Sequence, residues 1–515
     1  MNATAIQLQS EIDALRAQVA DSTARLADAT SQLSARDARI RQLEELILTL
    51  RHRQFGASSE QIAPGQASLF DEPAAPDEEA AQADATVTVP AHQRQVKRRP
   101  RLSPDLPRVD VVHDLPEAEK VCPDHGCALE PMGDAISERL RFIPATVEVE
   151  RHVCRKYACP HCEGRIVTAA KPAQLIPKSI ATPSLLAWVT VSKYADALPL
   201  YRQSSIFARL GIELDRTTMA RWMLVCGEAV QPLINLLWDR VRQASVVHMD
   251  ETRVQVLDEP GKTPQSPSYL WVAAAGSADA TVVVFHYTPG RTQATPKVLL
   301  EGYQGALMVD GYEAYDAVCR QEGLVRLGCW AHARRKFVEA QRLQPKGKTG
   351  KPDQALALIG QLYQVERKLA QTRDPDAIRG LRDTQARPVL ARLRQWLEKS
   401  LPLTTPGSKL GAAMTYLHNQ WPRLSRYLDD GTYPIDNNRA ENAIRPFVIG
   451  RKNWIFSQSV AGVQASANLY SLIETAKGHG LDPYQYLMRV FTQLPNAKSV
   501  EDFEALLPDK IKYGD

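Results

Sequence analysis

Val246-Val247-His248-Met249-Asp250 is a β-branched apolar run that ends on an acid, and its neighbours decide the fold. Three more stretches share its character: residues 269–276, 281–287 and 306–310 are rich in β-branched and aromatic residues and predict strands. Helical segments are expected at 292–300 and 312–322, followed by a short strand at 324–328 and a helix from Ala331. The first three strands are consecutive, and the next elements alternate helix and strand.

That order predicts an RNase H-like α/β core. In such a core one Asp sits inside the first strand and a second ends the fourth, and Asp250 and Asp310 occupy those two places. Converging carboxylates suit a hard cation such as Mg²⁺, which takes oxygen ligands and keeps several waters. A third acid on a later helix would complete the set. Glu441 lies in Asp436-Asn437-Asn438-Arg439-Ala440-Glu441-Asn442-Ala443-Ile444-Arg445, which reads as the entry from a loop into a helix. Arg439 and Arg445 flank it with charge suited to DNA phosphates, and Arg451 and Lys452 form a second basic set before Asn453-Trp454-Ile455-Phe456. Trp454 reads either as a platform for an unpaired base or as core packing.

Cys329-Trp330-Ala331-His332-Ala333-Arg334-Arg335-Lys336-Phe337 places a cationic cluster just after the fifth strand. His332 is read as a positioning or structural residue, because two-metal sites activate the nucleophile through the metal. Between Asp310 and Glu441, residues 341–430 are strongly helical, with Lys346, Lys348 and Lys351 on basic faces, and read as an insertion into the catalytic core. The core is therefore assigned to 244–340 and 431–480, with a helical tail at 481–515. The chain has no Gly-rich loop ending in Gly-Lys-Ser/Thr, so an ATPase reading has no support.

Upstream, residues 176–243 are helical. Residues 200–210 form one apolar-faced helix, Gly211 supplies a turn, and Asp215 is placed to cap a helix over 216–226; a connecting helix is expected over 228–242. Two short helices around such a turn suggest a helix-turn-helix whose second helix presents Arg216, Thr217, Thr218 and Arg221 to DNA; an ordinary helical hairpin explains the pattern as well.

Residues 108–175 hold Cys122-Pro-Asp-His-Gly-Cys127 and Cys159-Pro-His-Cys162, with a strand-like stretch at 145–152 between them. Cys-x-x-Cys in a reduced compartment is half of a tetrahedral zinc site. The ligands are assigned to Cys122, Cys127, Cys159 and Cys162, with His125 as the alternative to Cys127 and Cys154 as a further candidate. The zinc is read as structural.

Residues 56–107 are Ala/Pro/Gln/Asp/Glu-rich and predict a linker. It begins acidic (Asp71, Glu72, Asp77, Glu78, Glu79) and ends basic (Arg94, Lys97, Arg98, Arg99, Arg101), as a solvated tail or as a nonspecific phosphate-binding arm. In residues 1–55, Leu8, Ile12, Leu15, Val19, Ser22, Leu26, Ala29, Leu33, Arg36, Ile40, Leu43, Ile47 and Leu50 alternate steps of four and three. This heptad seam predicts a leucine-zipper-like coiled coil, and its polar Ser22 and Arg36 favour a homodimer.

The whole chain of 515 residues is too long for one hydrophobic core. Its apolar fraction of 44% and charged fraction of 24% are those of a globular protein. No run of about 18 apolar residues is present and nothing marks export, so a cytoplasmic, nucleoid-associated location with reduced cysteines is expected. A net charge of +4 does not announce nucleic acid by itself, but the cations are clustered.

Several of these strings together resemble the large transposases of the insertion sequence 66 family. The resemblance runs over nearly the whole chain. It includes Leu50-Arg51-His52-Arg53-Gln54-Phe55-Gly56-Ala57-Ser58-Ser59-Glu60, the cysteine module, His248-Met249-Asp250-Glu251-Thr252, Asp310-Gly311-Tyr312, the Cys329–Phe337 string and Asn437 through Pro446. It implies a DDE transposase with Asp250, Asp310 and Glu441 as the triad, two Mg²⁺ (or Mn²⁺) ions, double-stranded DNA with short terminal inverted repeats as substrate, and small accessory proteins encoded alongside. A DNA-binding regulator that no longer cuts, or a nuclease that cuts without joining, are the rival expectations.

Overall fold

A computed structural model describes residues 3–55, 109–110, 127, 146–158, 166–277, 279–344 and 349–511. The expected linker with its acidic and basic blocks, the candidate ligands Cys122, His125, Cys159 and Cys162, and Lys346 and Lys348 lie outside the described residues.

With neither Gly nor Pro to interrupt it, helix α1 (Ala3–Phe55) is continuous. Its seam residues Ile12, Leu15, Val19, Leu26, Leu33, Ile40, Leu43 and Ile47 are all exposed, Leu26 to 66%. Ser22 satisfies its hydroxyl within the helix by donating to the Gln18 carbonyl. Strands β1 (Lys156–Ala158) and β2 (Ile166–Thr168) form a two-stranded antiparallel sheet with Tyr157 opposite Val167, and Cys159 and Cys162 fall between them in sequence. The strand expected at 145–152 is not formed: residues 146–152 have no ladder partner, and Val149 is 93% exposed. Alternating apolar residues make a strand only where a second strand takes up their backbone groups.

Helices α2 (Pro183–Tyr194), α3 (Leu200–Arg209), α4 (Arg216–Ala229) and α5 (Gln231–Arg242) follow. Gly211 sits in the turn between α3 and α4 at φ +79°, a left-handed conformation that favours glycine. The Asp215 carboxylate then caps α4 by accepting from the Thr217 and Thr218 amides. The expected connecting helix does not begin at Glu228. Glu228 and Ala229 complete α4, and Pro232 restarts the helix in the first turn of α5.

The central sheet is built from β3 (Val246–Asp258), β4 (Pro267–Ser277), β5 (Ala280–Thr288), β6 (Ala306–Val309) and β7 (Val325–Gly328) in the order β5-β4-β3-β6-β7. The first three strands run antiparallel to one another, and β3, β6 and β7 run parallel. Helices α6 (Ala294–Leu299) and α7 (Ala314–Glu322) make the crossovers that parallel strands require. After α8 (Trp330–Gln341) come α9 (Lys351–Leu369), α10 (Pro375–Leu381), α11 (Arg387–Ser400) and α12 (Lys409–Leu424). These four helices pack with α8 around a core of their own that includes Trp330, Phe337, Ile359, Leu362, Leu393, Met414 and Leu417. Where the chain leaves β7 and where it returns are tied together, because the Trp330 amide donates to the Ile435 carbonyl at 3.2 Å.

Helix α13 (Asn438–Trp454), the short strand β8 (Ser457–Ser459), α14 (Val460–Gly478), α15 (Pro483–Gln493) and α16 (Val500–Glu504) complete the described chain. Strand β8 pairs with the far end of β3. Edge strand β5 is covered by α14: Ser471 accepts from the Phe285 amide, and Thr475 both accepts from and donates to the Val283 backbone. Covering the edge this way satisfies groups that would otherwise invite a foreign strand.

Candidate active site

The parallel pairing of β3 with β6 brings two acids together. His248 is the register partner of Met308, so two residues further along both chains Asp250 stands level with Asp310, one residue beyond β6. Glu441 arrives in the first turn of α13. Burial raises the Asp250 carboxyl to about 8, and the negative charges of Glu251, Asp310 and Glu441 add to the rise against the stabilising amide of Glu251. Through those couplings Asp250, Asp310 and Glu441 share one locality. Asp250 is oriented by the Glu251 amide at 2.9 Å, and Asp310 by the Tyr312 amide at 2.9 Å. Glu441, its side chain only 8% exposed, accepts from Arg335 at 2.8 Å on Oε2 and faces His332 Nδ1 at 3.3 Å on Oε1.

Asn437 fixes where α13 begins. It is buried, donates through Nδ2 to the Met249 carbonyl at 2.8 Å, and donates its backbone amide to Cys329 Sγ at 3.3 Å. Its Oδ1 lies 3.1 Å from His248 Nδ1. Burial, helped by the nearby Arg439 charge, pushes His248 down to about 3, so the ring is neutral. With the Asn437 amide nitrogen already donating, its oxygen must accept, and His248 therefore carries its proton on Nδ1. One residue thus joins β3, the start of α8 and the helix that bears Glu441. Beside it, Asp436 accepts from the Tyr363 hydroxyl and the Asn438 amide, while burial raises its carboxyl.

A further shell was not anticipated from sequence. Glu251 pairs with Arg291 and accepts from the Tyr315 hydroxyl at 2.6 Å, and the Arg291 guanidinium stacks on Tyr312 at 3.6 Å. Arg326, buried on β7, donates to the Asp310 and Tyr312 carbonyls at 2.9 and 3.0 Å and pairs with Asp316. It clamps the turn that presents Asp310. No local pattern identifies Arg326 or Arg291 as its supports.

The basic residues named from sequence are distributed unequally. Arg216, Thr217 and Arg221 are exposed on α4 and Thr218 is half-buried, its hydroxyl donating to Asp215. Arg334, Arg335 and Lys336 are half-buried; Arg335 belongs to Glu441, and Lys336 lies over the Tyr416 ring at 4.7 Å. Arg439 does not reach Glu441 in any described contact but donates to the Gly276 carbonyl, and Arg451 donates to the Arg253 carbonyl. Arg445 is half-buried and Lys452 exposed. Trp454 packs edge-on against Phe447 at 5.3 Å, which favours the packing reading; the exposed aromatic there is Phe456, at 42%.

Residues 178–465, more than half of the chain and spanning all three acids, match the model described as Transposase IS66 family. The chain belongs to this family. Three other models of the same family match elsewhere: the IS66 C-terminal element over 471–508, the zinc-finger binding domain of transposase IS66 over 119–163, and the one described as Transposase C of IS166 homeodomain over 42–111. The zinc-finger match encloses Cys122, Cys127, Cys159 and Cys162 and supports a structural zinc. Among curated proteins, the uncharacterized protein y4qI of Sinorhizobium fredii (strain NBRC 101917 / NGR234) is 31% identical over 98% of both chains. Another from that organism, y4jD, is 34% identical over 78% of this chain and 80% of its own. No solved structure matches the chain. No helix among the described residues is long and apolar enough to cross a membrane.

Proposed function

We propose that this IS66-family chain is a DDE transposase that cuts and joins DNA at the ends of an insertion sequence, with Asp250, Asp310 and Glu441 as its catalytic carboxylates. The observation that carries this reading is the placement of Asp250 level with Asp310 on paired parallel strands, with Glu441 near enough that both charges add to the rise that burial and Glu251 impose on the Asp250 carboxyl. Buried like charges of this kind are costly unless a cation neutralises them, and an all-oxygen donor set fits Mg²⁺ or Mn²⁺. Asp250, Asp310 and Glu441 would hold two such ions. When bound, the ions would supply a more acidic nucleophile and neutralise charge on the leaving oxygen.

The chain's own residues position the acids. The Glu251 and Tyr312 amides orient Asp250 and Asp310, Arg326 holds the Asp310 turn, and Arg335 fixes Glu441. The reaction is in-line attack on a phosphodiester at the element end, first by water, which frees a 3′-OH, then by that 3′-OH on target DNA. The sheet order, with β3 beside β6, supports an RNase H-like core over 244–340 and 431–480, interrupted by the helical insertion 341–430.

The other modules take their parts from the same reading. The uncovered seam of α1 supports a coiled-coil homodimer through residues 1–55 that holds two element ends together. The exposed face of α4, with Arg216, Thr217 and Arg221, supports recognition of terminal inverted repeats by residues 176–243. The zinc module (108–175), with Cys122, Cys127 or His125, Cys159 and Cys162 as ligands, assists that recognition, as do Arg334, Lys336, Arg445 and Lys452 along the path of the DNA. Small accessory proteins and a nucleoid location belong to the same proposal.

The test is incubation with labelled element ends, a target plasmid and Mg²⁺, with cleavage and joining scored separately. Asp310→Asn and Glu441→Gln should keep DNA binding and lose both activities. Cleavage retained in either variant refutes the triad, and cleavage without joining identifies a nuclease instead.

A further inference from the structure

Glu441 has a second and softer set of neighbours. Cys329 Sγ, a His332 ring nitrogen and a Glu441 carboxylate oxygen all lie within 4.8 Å of one another. A thiolate, an imidazole and a carboxylate are three of the donors from which tetrahedral zinc sites are made, whereas the set around Asp250 is oxygen alone. His332 Nδ1 and Glu441 Oε1 face each other at 3.3 Å, yet neither has a hydrogen-bond partner although both atoms are closed off from water. Buried polar atoms left in that state are rare and point to a missing partner.

The scaffold holds these donors in place, Cys329 Sγ accepting the Asn437 amide at 3.3 Å. Cys329 immediately precedes α8; burial and the nearby Asp436 and Glu441 charges push its thiol up, so it becomes a ligand only as a bound cation displaces the proton. His332 follows one turn later on the same helix. Glu441 is gripped by Arg335 through Oε2, which leaves Oε1 to turn toward an ion.

We propose that Cys329, His332 and Glu441 form a binding site for a soft divalent ion of the zinc class, and that an ion bound there withdraws Glu441 from Asp250 and Asp310 and so blocks Mg²⁺-dependent strand cleavage. As the Sγ–metal bond forms, the thiol proton leaves to solvent and a water takes the fourth position. The site is separate from the zinc module, whose cysteines lie elsewhere in the sequence. The inhibitory half rests on Glu441 being a catalytic carboxylate; the binding half does not.

Full-length protein with its zinc module loaded is titrated with Co²⁺, which a zinc-filled site resists because Zn²⁺ binds such donors more tightly. The expected result is a thiolate-to-cobalt charge-transfer band that saturates at one added equivalent and is lost in Cys329→Ser. In His332→Asn, which loses one of three protein ligands, the affinity should fall by at least the roughly 100-fold that loss of a supporting partner can cost. A band that survives Cys329→Ser, or no band in the unmodified protein, overturns the site. Should Cys329→Ser fail to fold, unchanged affinity in His332→Asn overturns it alone. In the cleavage assay, Zn²⁺ should inhibit at a concentration that His332→Asn raises by the same factor; cobalt binding without zinc inhibition overturns the withdrawal of Glu441. Because the band is read without DNA, an inactive protein would refute the transposase reading while still deciding the site.

Discussion

Replacing Asp250 by Asn should make the metal-free protein more stable at neutral pH, although it removes an acid of the proposed triad. In the fold the Asp250 carboxyl ionises only near 8 against an ordinary 3.8, because burial and then the charges of Glu251, Asp310 and Glu441 oppose its ionised form. A carboxyl raised by folding favours the native state at low pH, and that advantage is lost as pH climbs toward the folded value. At pH 7 the unfolded chain has released this proton and the folded chain has not. The gap of about three pH units, at about 1.4 kcal/mol each, amounts to about 4 kcal/mol. Asn is neutral in both states, has nearly the same shape, and keeps an oxygen for the Glu251 amide. Its melting temperature in chelator at pH 7 should therefore exceed that of the parent by about 8 °C, at about 2 °C per kcal/mol for a large domain. The difference should close by about pH 4 and reverse when saturating Mg²⁺ is added, since only the parent gains from binding. Scanning calorimetry from pH 4 to 8, with and without Mg²⁺, measures all three limbs. An Asn variant that is no more stable than the parent at pH 7 in chelator would refute the claim that these acids are crowded and desolvated.

Two other substitutions test parts of the framework. Asn437→Ala leaves the Met249 carbonyl and the His248 Nδ1 proton buried without partners, and should cost about 2–4 kcal/mol in denaturant unfolding; a loss under about 1 kcal/mol would show that water replaces the amide. Asp215→Ala removes the cap of α4 and should cost about 1 kcal/mol while weakening binding to element ends in a mobility-shift assay, and unchanged binding would count against α4 as the recognition helix.

How much of this was legible in the chain depends on how far the partners lie apart. Gly211 and Asp215 announced the turn and cap of α3 and α4, because left-handed backbone and side-chain capping are local chemistry. The five central strands were found within a few residues for the same reason, except that β3 continues through Asp258, beyond its apolar opening. The stretch at 145–152 shows the limit: its alternation is that of a strand, but a strand needs a partner that local sequence does not name. Asp250 and Asp310 followed from strand order. Glu441 depended on the string around it, since a helical cluster separates it from the sheet. The supports were invisible: Asn437 meets His248 across 189 positions and Arg335 meets Glu441 across 106, separations over which no periodicity carries information. Arg439 and Arg445 were the guanidinium groups nearest Glu441 in sequence, and Arg335 is the one bonded to it.

The hydrogen bond between Trp330 and Ile435 closes the helical cluster into a loop on the central sheet, and Arg423 and Arg426 brace its near end against Asp316 and the Arg326 carbonyl. Closing a longer loop there costs only logarithmically more entropy, and the cluster has its own apolar interior to fold around. The sheet senses this near end of the cluster rather than the length of what lies beyond it. A lineage can therefore enlarge, shrink or exchange the distal part of the cluster while the sheet and the three acids beneath it stay in register.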